Sequence, residues 1–158
     1  MATREHYMKL AIKSAIAGIT RKEGGPFGAA IVDKNGKLLA VAHNTVWKSC
    51  DSTAHAEVNA IRKACKKLGT IDLTGCTIYS TAEPCPMCFT AIHWARIRDI
   101  YFGATIEDAA HYGFHEFKIH NLKLKMLGHL KTKITPAFMR NECLVPFEKW
   151  KKMNGKTY

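Results

Sequence analysis

The sequence predicts an α/β fold in three layers, α/β/α, with a mixed central sheet, and three observations lead there. Helical and extended patterns alternate in the order α-β-β-α-β-α-β, which places helices on both faces of one sheet. An Asn35-Gly36 pair between two apolar runs is a strong hairpin signal, so part of the sheet is antiparallel. The chain has 158 residues, 47% hydrophobic and 23% charged, enough to bury one core and no more. A single domain spanning residues 1–158 is expected.

Each element has a local reason. Met8, Ile12, Ala15, Ile16 and Ile19 recur at three- and four-residue steps, giving an amphipathic helix over residues 6–19 that Gly24-Gly25-Pro26 ends. Residues 27–32 and 38–42 are the hairpin strands. Residues 53–68 form the second helix, with Asp51, Ser52 or Thr53 as its cap and Gly69 as its stop. Residues 77–80 are a short strand, residues 86–96 a helix with Pro86 in its first turn, and residues 100–103 another strand. Residues 106–110 are expected to be helical. Residues 118–130 suit helix and strand equally, and Pro136 opens a last segment ending in a helix over residues 147–153.

Composition excludes disorder and fibrous classes. No apolar run reaches the roughly 18 residues of a membrane span, and the start lacks the pattern of a signal peptide. A cytoplasmic protein without membrane contact is expected, its six cysteines serving as thiols or metal ligands rather than as a disulfide framework. The formal net charge is +11. Residues 118–158 carry nine lysines and one arginine against Glu142 and Glu148. Such a surface can hold phosphates, but lysines on solvated faces are the plainer account.

Two clusters carry chemistry: His55-Ala56-Glu57 and Pro84-Cys85-Pro86-Met87-Cys88. Cys85 and Cys88, three apart, share one face of a helix and can pinch one ion. His55 and Glu57 can both reach a site off the end of their helix from its first turn. Two helix N-termini meeting at a point favour thiolates. One histidine and two thiolates leave a fourth tetrahedral position for water, the pattern of a catalytic Zn2+ rather than a structural one. Glu57, not a ligand, is placed to take a proton from that water. The spacing matches the H-x-E…P-C-x-x-C signature of zinc deaminases.

With those residues in view the chain resembles the cytidine/deoxycytidylate deaminase superfamily. Three further stretches resemble the guanine deaminases within it: Gly24-Gly25-Pro26-Phe27-Gly28-Ala29, Asp108-Ala109-Ala110…Gly113-Phe114, and Pro146-Phe147…Trp150 with a terminal Tyr158. The resemblance implies a cytidine-deaminase-like fold, zinc on His55, Cys85 and Cys88, and Glu57 as the catalytic proton shuttle. It also implies purine contacts from Asn44, stacking or apolar walls from Phe27 and Trp94, and closure by Tyr158. It further implies a homodimer in which residues 136–158 are exchanged between subunits. From position alone Asn44 also suits a turn, Phe27 and Trp94 suit a core, and Tyr158 suits a frayed terminus.

One departure stands out. Guanine deaminases carry two aspartates after Gly-Phe, where this chain has His115-Glu116. Glu116 keeps a carboxylate to pair with guanine's N–H donors, one methylene further out. The expected function is zinc-dependent hydrolytic deamination of a purine base, guanine to xanthine and ammonia. Another amino-heterocycle, a guanine nucleoside, or the adenosine of a tRNA are the alternatives, and a non-catalytic zinc module that binds nucleic acid has no use for Glu57. Nucleic acid is the less favoured partner. The other histidines show no ligand spacing and are expected to be structural or on the surface, and Cys50, Cys65, Cys76 and Cys143 are expected to be ordinary reduced thiols.

Overall fold

A computed structural model describes residues 2–158. Helix α1 (Arg4–Thr20) leads into strands β1 (Gly28–Val32) and β2 (Leu38–His43), followed by a one-turn helix α2 (Val46–Ser49) and helix α3 (Ala56–Leu68). Then come β3 (Thr77–Ala82), α4 (Pro86–Trp94), β4 (Asp99–Ala104), α5 (Ile106–His111), α6 (Asn121–Leu127), β5 (Lys133–Thr135) and α7 (Arg140–Lys152). The sheet order is β2-β1-β3-β4-β5. β1 pairs antiparallel with β2 and β3, while β3, β4 and β5 run parallel. The sheet is mixed, as expected.

Both faces of the sheet are covered, and β1 shows it residue by residue. All five of its residues are buried. Ala30 and Val32 join Tyr7, Met8, Ala11 and Cys143 on the side of α1 and α7. Ala29 and Ile31 join Ala60, Ala64, Phe89 and Ile92 on the side of α3 and α4. Successive strand side chains point to opposite faces, so a strand buried on both sides reads as an unbroken apolar run.

Several boundaries move. The hairpin loop spans residues 33–37, as the strand bounds expect, and the Asp33 carboxylate accepts from the backbone N–H of both Asn35 and Lys37. Helix α3 starts at Ala56, not Thr53: Asp51 holds Thr53 in a turn of its own, and His55 becomes the cap residue. Within residues 118–130 the stretch Asn121–Leu127 is helix α6, and β5 adds an edge strand that had no sequence signal. The last helix begins at Arg140 and runs through Pro146. A proline inside a helix costs about 3 kcal/mol. Here Cys143, Pro146, Phe147 and Trp150, spaced three, one and three apart, are all buried. That burial, with Phe147 fully enclosed, outweighs the missing hydrogen bond. Among the described residues no helix is long and apolar enough to cross a membrane.

Candidate active site

The site lies where β3 and β4 end and α3 and α4 begin. His55 is the N-cap residue of α3, and Cys85 is the N-cap residue of α4, with Pro86 at its first position. Both cap residues have extended backbone and neither side chain caps its own helix. Their side chains are therefore free to meet in front of the two helix ends, where unpaired N–H groups leave a positive field.

They do meet. His55 Nδ1 lies 3.7 Å from Cys85 Sγ and 3.5 Å from Cys88 Sγ, and the three ligand atoms sit within 4.8 Å of one another. Zinc–nitrogen and zinc–sulfur bonds in a tetrahedron put N and S about 3.6 Å apart, so the spacing suits a zinc ion at the centre. The protonation of the thiols agrees. A hydrogen bond from Cys88 holds the Cys85 thiol down to about 4 despite its burial, with His55 helping. The same Cys85–Cys88 contact, with burial and Glu57 beside it, pushes Cys88 well up. Two thiols sharing one charge is what a dication at the centre would relieve by holding both as thiolates. Burial pulls His55 down, but the Cys85 hydrogen bond and the Glu57 charge outweigh it and leave it raised.

Glu57 is buried in the first turn of α3. Its Oε1 accepts from the Ser80 hydroxyl at 3.0 Å and its Oε2 faces Cys88 Sγ at 3.4 Å. Burial raises its carboxyl, partly offset by the charge of His55, so it is poised to carry a proton.

A cavity of about 260 Å³ opens in front of these groups, lined by Phe27, His55, Glu57, Cys85, Phe114, Glu116 and Tyr158 among others. Phe27 meets Phe114 edge-on with centroids 5.0 Å apart, and Tyr158 meets Phe114 likewise at 5.3 Å. Burial first, then the negative Cys85, pushes Glu116 up to about 7. The chain's last residues return over the cavity: Trp47 Nε1 donates to Lys156 O, His115 N to Tyr158 O, and Asn44 Nδ2 to the Tyr158 hydroxyl. In this single chain, then, Tyr158 covers its own site.

The structure thus gathers His55, Glu57, Cys85, Cys88, Phe27, Glu116 and Tyr158 at one place. Asn44 sits behind that wall, fully buried. Its Oδ1 is taken by the N–H groups of Gly25 and Val46, while its amide holds Tyr158. Gly24 allows this approach, since a Cβ there would fall 2.3 Å from the Asn44 carbonyl oxygen. Trp94 is not among the residues that line this chain's cavity: it ends α4, about 12 Å along the helix from Pro86, and is 78% exposed. Sequence reasoning missed Trp47, whose ring packs on Tyr158 and under Lys156, and Ser80. A serine inside an apolar strand was the signal available for the latter.

The family model described as the cytidine and deoxycytidylate deaminase zinc-binding region matches residues 1–104. The chain belongs to that family, and the fold and site define it as a hydrolytic deaminase. It is 42% identical over 155 residues to the guanine deaminase of Bacillus subtilis (strain 168), covering 96% of each chain. The structure of a guanine deaminase from Nitrosomonas europaea superposes with a TM-score of 0.87 at 29% identity, over 96% of this chain and 86% of the other. A tRNA-specific adenosine deaminase of Agrobacterium fabrum is 45% identical over 104 residues, covering 66% of this chain and 67% of its own. Within the family the enzyme is guanine deaminase-like along nearly its whole length.

Proposed function

We propose that this enzyme converts guanine to xanthine and ammonia. The observation that carries the assignment is the C-terminal closure: the Tyr158 ring forms part of the wall of a cavity of about 260 Å³, at the small end of ligand pockets. That space suits one bicyclic base, and a stem-loop of RNA could enter only with the tail removed. The similarity to guanine deaminase likewise runs on into the C-terminal third.

His55, Cys85 and Cys88 would hold a zinc ion, which when bound supplies the Lewis acidity that generates hydroxide at neutral pH. Glu57 takes one proton of the attacking water on Oε2 and passes it to the ring nitrogen beside C2. It then takes the second from the new C2 hydroxyl and passes it to the exocyclic amine as the C2–N bond breaks, leaving a C2 carbonyl and ammonia. The Glu116 carboxylate accepts from N–H donors of guanine. Adenine and cytosine would present acceptors there and be repelled. Phe27 and Phe114, in edge-on contact with each other, offer the ring an apolar wall, Asn44 holds Tyr158 in place, and Tyr158 excludes bulk water.

The same reading includes a homodimer in which residues 136–158 are exchanged, Tyr158 closing the neighbour's site by the contacts it makes here. Passing a terminal element between identical chains is a low-cost route to a dimer. Two thiolate ligands and four further free thiols suit a reducing compartment, and on that ground the enzyme is assigned to the cytoplasm.

The test is ammonia release from free bases, nucleosides and a tRNA anticodon stem-loop, with xanthine followed by absorbance. Guanine should be turned over, and Glu116→Gln should cut its kcat/KM far more than zinc content or Tm. Ammonia from the stem-loop or a nucleoside but none from guanine would overturn the assignment.

A further inference from the structure

β3 presents Ile78, Ser80 and Ala82 to the α3–α4 side of the sheet, by the alternation of a strand. Its neighbours in register with Ser80 are Ala29 on β1 and Phe102 on β4, both in the apolar cluster on that side. A serine there is 2% exposed. A hydroxyl so buried needs an acceptor or costs about 1–3 kcal/mol, and the side-chain acceptor it has is Glu57 Oε1 at 3.0 Å. The carboxylate also has a hydrogen bond from the Glu57 backbone N–H, and its other side-chain contact is Cys88 Sγ, at Oε2. A Cys88 serving as a metal ligand has no proton to give, which leaves the Ser80 hydroxyl as the side-chain donor holding Glu57.

We propose that Ser80 is a positioning residue for Glu57. By donating to Oε1 it fixes the plane of the carboxylate and assigns the two oxygens different work. Oε1 is committed to the strand, and Oε2, on the side of Cys88, carries the protons. The inference rests on the reading of Glu57 as the proton carrier. Without Ser80 the terminal torsion of Glu57, which is broad and two-fold, is free to offer either oxygen at any tilt. A misplacement of about 1 Å at a reacting group can cost about 100-fold. Because alanine keeps the Cβ of Ser80, its effect falls on orientation and not on packing.

The experiment measures kcat and KM for guanine in the parent, Ser80→Ala, Ser80→Thr, Glu57→Gln and the double variant Ser80→Ala/Glu57→Gln, with zinc content and Tm for each. Ser80→Ala is expected to lower kcat roughly 10- to 100-fold with KM, zinc content and Tm close to the parent. Ser80→Thr, which keeps the hydroxyl, is expected to recover most of the loss. The double variant is expected to be no slower than Glu57→Gln alone, since a residue acting through Glu57 has nothing left to position. That comparison stands even if the threonine is too large to fold. Ser80→Ala with kcat within twofold of the parent, beside an inactive Glu57→Gln, overturns the role of Ser80 alone. So does a double variant slowed by the full product of the two single effects. A Glu57→Gln variant within tenfold of the parent overturns the proton-carrier reading itself, and the role of Ser80 with it.

Discussion

Gly155 has no room for a side chain. A Cβ built on it would lie 2.2 Å from Cδ2, 2.3 Å from Cε2 and 2.6 Å from Cε3 of Trp150. Ordinary contact begins near 3.4 Å, so in Gly155→Ala one partner must retreat by about 1.2 Å. Trp150 cannot: it is 5% exposed and locked among Phe114, Phe147 and Ala104. The tail therefore lifts. A shift of that size stretches Trp47 Nε1–Lys156 O from 3.2 Å and His115 N–Tyr158 O from 2.9 Å beyond hydrogen-bonding range. The Asn44–Tyr158 bond goes with them. At about 1 kcal/mol each, losing two or three costs about 2–3 kcal/mol of closure, or roughly 30- to 150-fold in the closed-to-open ratio. The substitution should lower kcat/KM for guanine at least about tenfold while zinc content is unchanged, because no metal ligand is on the tail. Deleting Tyr158 should reproduce it, and alanine at the exposed Lys156 should cost much less. Steady-state kinetics beside zinc analysis decide the matter. A Gly155→Ala protein with kcat/KM within twofold of the parent would falsify the coupling between the tail's seat on Trp150 and the site.

Further outcomes follow from other parts of the molecule. Purified protein should carry about one zinc per chain, and Cys88→Ser should bind none and have lost activity; full activity in strong chelator would count against the metal. Mixing Glu57→Ala with a Tyr158 deletion and refolding them together should restore activity if the tail is exchanged, since one site of the mixed dimer is then intact. No recovery, with mixed dimers demonstrated and the deletion inactive alone, places Tyr158 over its own chain's site. Glu23 is held down to about 2 by hydrogen bonds from His43 and Lys48. Its folded value lies below its unfolded one, so its stabilisation is full above about pH 4.5 and is lost as the pH falls toward 2. Glu23→Gln should therefore melt lower than the parent at pH 6, and the difference should shrink steadily below pH 4. Melting curves that stay parallel from pH 6 to pH 2.5 would show that Glu23 stores no such stability.

The His55, Cys85 and Cys88 cluster and Glu57 were legible in the sequence because their geometry is local. Cys85 and Cys88 are one helical turn apart and His55 and Glu57 share the start of another helix, so spacing alone fixes which pairs can converge. The helix-strand order was legible for the same reason, since backbone periodicity is set within a few residues. What the tertiary structure decided are the contacts made across long stretches of chain. Asn44 meets Tyr158 at a separation of 114 residues, and Trp47 reaches Lys156 at 109; no local rule relates such positions. Trp94 shows the converse: the family resemblance implied a wall of the site, and the helix axis carries it away from this chain's own cavity. The run of α7 through Pro146 is of the same kind, because local preference opposes it and only burial against β4 and α1 reverses the sign. Local hydrogen-bond geometry acts at fixed sequence distance and can be read from sequence. Packing rewards whatever surfaces the folded chain brings together, and that is decided only when all of the chain is in place.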